Sequence, residues 1–195
     1  MSYDWQMKPA TEKPPPWLAP DWLDSAVVVA LGSNQSGPFA SSVSLLEAAL
    51  ERLNEVGFRP IIRSRWWRSK AWPNPANPEF INGVALFLPN APPRETLASL
   101  NEVEREFGRI RERVNEPRTL DLDLIAHGRT EIDSENLILP HPRAHERFFV
   151  MGPLAEVAPT WRHPRLGESA QVLAGRAKIG ADARPMRRAA LHKNL

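Results

Sequence analysis

The chain has 195 residues, a formal net charge of +2 and no cysteine. That length supports one domain with a sizeable core, and a charge this near balance gives no electrostatic ground for nucleic-acid binding. The missing cysteines exclude a disulfide scaffold, thiolate metal sites and a cysteine nucleophile, and they suit a reducing, cytoplasmic setting.

Met1 to Ser25 carries Asp4, Lys8, Glu12 and Lys13 and no continuous apolar region, unlike a signal peptide. Residues 1–24 read as a proline-rich arm, with Pro14-Pro15-Pro16 favouring an extended chain and Trp5, Trp17 and Trp22 available to dock it. No apolar run reaches the roughly 20 residues of a membrane span, so no membrane partner is expected.

Residues 25–174 read as the folded domain. Val27 to Leu31 is a β-branched run that predicts a buried central strand. Ser41 or Ser42 can cap a helix bearing Val43, Leu45, Leu46, Ala49, Leu50 and Leu53, closed by Gly57. Phe58 to Trp67 predicts a second strand, and Ser69 to Glu79 a loop held irregular by Pro73, Pro75 and Pro78. Phe80 to Leu88 predicts a third strand, and Arg94 to Phe107 a second helix ending at Gly108. A strand from about Pro117 to Ala126 completes the order β-α-β-β-α-β. This is the ferredoxin-like arrangement, which we expect as an α/β, three-layer fold on a mostly antiparallel sheet. Beyond it we expect a short strand pair near 130–132 and 137–139 and a helical piece over 144–156. Residues 160–174 read as irregular closing structure. Residues 175–195 read as a basic, solvated tail with Arg187, Arg188 and Lys193.

The strand Arg118-Thr119-Leu120-Asp121-Leu122-Asp123-Leu124 carries the chemistry. Alternation sends the leucines to one face and Asp121 and Asp123 to the other, roughly 7 Å apart at the Cα atoms. Two carboxylates so placed can hold hard cations against a polyphosphate. Periodicity by itself favours the plainer reading, a half-buried strand with a solvated acidic face. Around it stand Arg109, Arg111, Arg118, Arg143 and Arg147, whose planar forks fit phosphate oxygens. Arg143 and Arg147 read as one helical turn apart. As simple salt bridges to the acids, these arginines would imply little.

Three other patterns are weaker. Gly32-Ser33-Asn34-Gln35-Ser36-Gly37 lacks the Lys-Ser/Thr of a phosphate loop, because Pro38-Phe39 follows, so its glycines read as turn residues. His141 and His145 have i, i+4 spacing, but His145-Glu146 is followed by Arg147-Phe148-Phe149 and not by the zinc pattern. A non-catalytic RNA- or nucleotide-binding module on the same fold would need exposed aromatics that Val27 to Leu31 lack.

Five pieces in order resemble the 6-hydroxymethyl-7,8-dihydropterin pyrophosphokinase family: Ala30-Leu31-Gly32-Ser33-Asn34, Phe80-Ile81-Asn82, Gly108-Arg109-Ile110-Arg111, Pro117 to Asp123, and Leu139-Pro140-His141-Pro142 followed by Phe149. The resemblance implies ATP-dependent transfer of diphosphate to the hydroxymethyl group of 6-hydroxymethyl-7,8-dihydropterin, with AMP leaving, in folate biosynthesis. It implies two Mg²⁺ ions on Asp121 and Asp123, with Asp123 also as an acceptor of the substrate proton. Arg109 and Arg118 match phosphate-contacting catalytic arginines. Leu97, Asn101, Arg111, Leu124, His141 and Arg147 match the ATP side. Ser69, Lys70, Trp72, Phe80, Asn82 and Phe149 match the pterin side, with Asn82 reading the ring edge and the two phenylalanines sandwiching it. The chain departs from the family at Val114-Asn115-Glu116, where a tryptophan is common, and at Lys70-Ala71, where Pro-Pro is common. Both loops are expected to act as lids. A monomer with no nucleic-acid partner is expected.

Overall fold

The computed structural model describes residues 21–71, 74–108 and 119–187. The N-terminal arm through residue 20, Trp72, Arg109, Arg111, the 114–116 segment, Arg118 and the last eight residues lie outside that set.

β1 (Val27–Ser33) follows a short helix, α1 (Trp22–Ser25), whose Trp22 and Leu23 pack on the core, and it is buried along its whole length, as its β-branched run requires. It lies between β4 (Phe80–Leu88) and β5 (Asp121–His127), antiparallel to both. β4 in turn pairs with β2 (Arg59–Arg63) and β3 (Trp67–Ser69). Side chains alternate between two cores. Val27, Val29 and Leu31 join Leu45, Leu46, Leu50 and Leu53 of α2 (Ser42–Glu55) and Leu100 and Val103 of α3 (Pro93–Glu106). Val28 and Ala30 face Val150, Met151 and Leu154 of α4 (Phe148–Val157) and Leu173 of α5 (Ala170–Arg176). The sheet therefore has helices on both faces: the ferredoxin-like α2 and α3 on one, and the C-terminal α4 and α5 on the other.

α2 begins where expected. Ser41 and Ser44 form a capping box, and Gly57 ends the turn after the helix at a φ of 99°. The strand expected over 58–67 is instead two strands. At the break the Ser64 hydroxyl accepts from the Val84 N–H (3.0 Å) and donates to the Arg65 carbonyl (2.7 Å), replacing a rung of the ladder. The two tryptophans that follow go to opposite layers. Trp66 Nε1 donates to Glu47 of α2 (2.8 Å), and Trp67 Nε1 donates to Glu156 of α4 (2.7 Å). Each indole is thus satisfied by a carboxylate from the helix covering its own face. Gly83 is needed beneath Trp66, because a Cβ there would lie 2.6 Å from the indole.

β5 starts at Asp121, later than the sequence suggests. Leu120, Leu122 and Leu124 are buried in the α2–α3 core, contributing roughly 2 kcal/mol each. The register slips where Val28 faces Ala126 and Val29 faces Leu124. Ile125 is the extra residue, and Ile125 and Ala126 turn toward the α4 side. The bulge ends the acidic face just beyond Asp123. β6 (Ile132–Ser134) and β7 (Leu137–Leu139) form the expected short pair.

Two readings of the C-terminal third need correction. Residues 170–176 are helical, capped by Ser169 accepting from the Val172 N–H, and are not irregular. Residues 177–187 are docked, not solvated as a tail. Ile179 pairs with Arg147, and β8 (Arg184–Pro185) adds a strand beside β3. Main-chain hydrogen bonds, with Ala183 buried and Met186 packed on the core, hold a segment whose few apolar side chains gave no sign of it.

Candidate active site

The acids sit where β5 meets β1 on the α4 side of the sheet. Asp121 is opposite Gly32 and Asp123 opposite Ala30. Across β1, Gly32 also faces Asn82. A Cβ on Gly32 would lie 3.5 Å from Asn82 Oδ1, 3.9 Å from the Asp121 Cβ and 3.9 Å from Phe80 Cδ1. Gly32 is therefore the floor of a small hollow walled by an acid, an amide and an aromatic ring. It is a strand residue, contrary to the turn role expected of it. Gly37, at a φ of 52°, is the one that turns.

Arg147 closes the α4 edge. Its guanidinium contacts Asp123 Oδ2 at 3.3 Å and lies 5.9 Å from the Phe149 ring centroid. Its Nε is buried without a hydrogen-bond partner. Arg143 and Arg147 do not share a helix face. A 3-10 turn over Ala144–Glu146 separates them, the backbone at Arg147 is extended, and Arg143 points back to Glu146 at 3.7 Å.

His141 is anchored by its N–H to the Ile125 carbonyl (2.9 Å), and its Nδ1 accepts from the Arg143 N–H (3.2 Å). Nε2 then carries the ring proton. Burial, reinforced by Arg147 and opposed by Asp121, pushes its pKa down to about 4. At pH 7 it offers a hydrogen bond and no charge.

Asn82 is buried and donates through Nδ2 to Ser69 Oγ at 3.0 Å. Ser69 stands opposite Phe80 on the neighbouring strand. The Lys70 N–H donates to Asp182 Oδ2 at 2.7 Å. Leu97 and Asn101 lie one turn apart on α3, with Leu97 against the α2–α3 core. The Leu124 side chain is in that core too, on the face away from the acids. Asp121, Asp123, Phe80, Asn82, Ser69, His141, Arg147 and Phe149 thus gather around one end of β1. Trp72, Arg109, Arg111 and Arg118 fall outside the described residues.

Sequence reading missed Glu104. It is buried on α3, and it accepts the Leu122 N–H at 2.7 Å, tying α3 to the strand between the two acids. The only signal is its place one turn after Leu100 on the apolar stripe.

The aspartates must suit the magnesium that the polyphosphate chemistry implies. Among the described residues no group of three or more His, Cys, Asp or Glu could hold a metal by itself. Magnesium does not need one. It keeps waters and takes one or two carboxylates together with substrate phosphates. Two half-buried aspartates on one strand face, backed by a rigid leucine core, fit that demand.

Residues 28–159 match a family model described as 7,8-dihydro-6-hydroxymethylpterin-pyrophosphokinase (HPPK). The chain is 41% identical over 143 residues to a 2-amino-4-hydroxy-6-hydroxymethyldihydropteridine pyrophosphokinase of Synechocystis, covering 73% of this chain and 71% of that one. It is 39% identical over 138 residues to the protein of the same name from Pseudomonas aeruginosa, covering 71% and 83%. A Plasmodium falciparum HPPK-DHPS crystallised with pteroate superposes with a TM-score of 0.61 at 13% identity, over 77% of this chain and 44% of that one. The chain spans less than half of that longer protein, and the likeness to it concerns the fold.

Proposed function

Because the chain belongs to the 7,8-dihydro-6-hydroxymethylpterin-pyrophosphokinase family, ATP-using enzymes of folate biosynthesis, we propose that the hollow around Gly32 is where ATP and the reduced pterin react. The hydroxymethyl oxygen of the pterin attacks the β-phosphorus of ATP. The bond from that phosphorus to the α–β bridging oxygen breaks, AMP leaves, and the pterin keeps the diphosphate.

The observation that carries this reading is the shared face of Asp121 and Asp123 beside Asn82, with Arg147 on Asp123. Mg²⁺ held by the two aspartates, as two ions in this reading, would neutralise the triphosphate and polarise the phosphorus. The chain's own groups do the positioning. Arg147 keeps Asp123 oriented and adds positive charge at the phosphate edge. Asp123 is the group assigned to take the hydroxyl proton. His141 Nε2–H is a donor to a phosphate or nucleotide oxygen. Asn82, its amide orientation set by Ser69, reads the donor–acceptor edge of the pterin. Phe80 and Phe149 supply stacking faces, and Ser69, Lys70 and Trp72 supply backbone contacts. Leu97, Asn101 and Arg111 complete the nucleotide side, with Leu124, whose side chain faces the α2–α3 core, contributing only through its main chain; Arg109 and Arg118 complete the phosphate contacts.

A non-catalytic RNA- or nucleotide-binding module is not favoured, since the matched relatives carry the name of an enzyme. No helix among the described residues is long and apolar enough to cross a membrane. A cytoplasmic monomer is the working state in this proposal. The test is product identity: AMP, not ADP, from ATP, Mg²⁺ and the hydroxymethyl dihydropterin.

A further inference from the structure

We propose that residues 177–187 form a strap that positions the pterin side of the site. The role rests on the reaction proposed above. The strap lies wholly beyond residue 159, where the family match ends.

The strap is fastened to both sides of the hollow. At one end, Ile179 lies parallel to Arg147: its N–H donates to the Glu146 carbonyl (3.0 Å), and its carbonyl accepts the Phe148 N–H (2.7 Å). These bonds hold the backbone from which Arg147 and Phe149 project. Gly180 then passes against the Phe149 ring. It has a φ of 69°, and a Cβ there would meet Phe149 Cδ1 at 2.4 Å. The strap backbone is thus the back wall of that ring. At the other end, Arg184 and Pro185 pair with Arg68 and Trp67, and the Met186 N–H donates to the Trp66 carbonyl at 2.8 Å. Between the two, Asp182 takes the Lys70 N–H at 2.7 Å, just past Ser69, which orients Asn82.

One short segment therefore sets the distance between the Phe149 ring and the Ser69–Lys70 edge. Recognition of a flat heterocycle by stacking and an amide depends on that spacing, and a shift near 1 Å is costly. Asp182 touches neither substrate in this account. It acts through the Lys70 amide, and Gly180 acts through Phe149.

The test uses the full chain with Asp182→Ala, Asp182→Asn and Gly180→Ala. It measures KM for each substrate, kcat, and the pterin Kd by fluorescence without ATP. Asp182→Ala and Gly180→Ala are expected to raise the pterin KM and Kd about tenfold. The ATP KM should hold, and Asp182→Asn should recover most of the loss because it keeps an acceptor oxygen. Asp182 is exposed, so its variants keep the test decisive if Gly180→Ala folds poorly. Unchanged pterin KM and Kd in Asp182→Ala, or equal losses for ATP and pterin, would overturn the strap's role while leaving the reaction standing. A wild-type protein that neither binds pterin nor forms AMP would overturn the reaction, and the strap's role with it.

Discussion

Gly32 and Asn82 face each other across β1 and β4, so close that a Cβ on the glycine would sit 3.5 Å from the amide oxygen. That is ordinary contact, so Gly32→Ala should be tolerated in folding. Gly32→Val would project methyl groups into the hollow between Asn82, Asp121 and Phe80. It is expected to raise the pterin KM by about a hundredfold with little change in melting temperature. Steady-state kinetics beside a thermal melt separate the two effects. A valine variant with wild-type kinetics would mean that the hollow is not the pterin site.

Asp121 and Asp123 emerge from a strand whose stability lies in Leu120, Leu122 and Leu124 on the opposite face. Asp121→Asn and Asp123→Asn should therefore keep the circular dichroism spectrum and lose turnover by about a hundredfold or more, because several kcal/mol of charge stabilisation goes with the metal. The rate should partly return as Mg²⁺ is raised. A near-normal rate at ordinary Mg²⁺ would remove the metal role.

Arg147 meets Asp123 through one nitrogen and leaves Nε buried and unsatisfied. A substrate phosphate would supply the missing acceptor. Arg147→Ala is expected to lower kcat/KM for ATP by about tenfold or more, and Arg147→Lys should not restore it, since an ammonium cannot present the fork. Full rescue by lysine would reduce Arg147 to a point charge.

His163 is 3% exposed, and its Nδ1 accepts the Leu166 N–H at 3.2 Å. Burial holds its pKa down at about 4, with His145 and Arg165 pushing the same way, Glu131 opposing and Arg129 adding slightly. The folded pKa is below the unfolded value, so the unfolded chain binds more protons between about pH 6.5 and 4. The stabilisation is complete above that window and is lost as pH falls through it. Its size is a few kcal/mol at most, at about 1.4 kcal/mol per pKa unit. Urea midpoints at pH 7.5 and pH 5 should differ more in the wild type than in His163→Gln. Identical pH slopes would contradict the buried neutral ring. His141, lowered for the same reason, leaves a residual slope in the variant.

Local signals made much of this fold legible. The limits of β4 agree with the apolar run Phe80 to Leu88, and Ser41 and Gly57 bracket α2 through cap chemistry that needs no tertiary partner. The acidic face of β5 followed from alternation alone. What escaped depends on partners distant in sequence. The break at Ser64 exists because its hydroxyl finds Val84, and Trp66 and Trp67 part company because Glu47 and Glu156 wait on opposite layers. Gly32 reads as a turn glycine until Asn82 and Asp121 are seen on either side of it. The strap has few apolar residues and is held by main-chain bonds, which composition cannot reveal.

The proposed reaction requires this site to move a diphosphate in one piece. ³¹P NMR of the protein with ATP, Mg²⁺ and 6-hydroxymethyl-7,8-dihydropterin tests it directly. AMP should appear in step with a pterin diphosphate, and no ADP. ADP with a pterin monophosphate, or ATP left intact in the presence of the pterin, would contradict it.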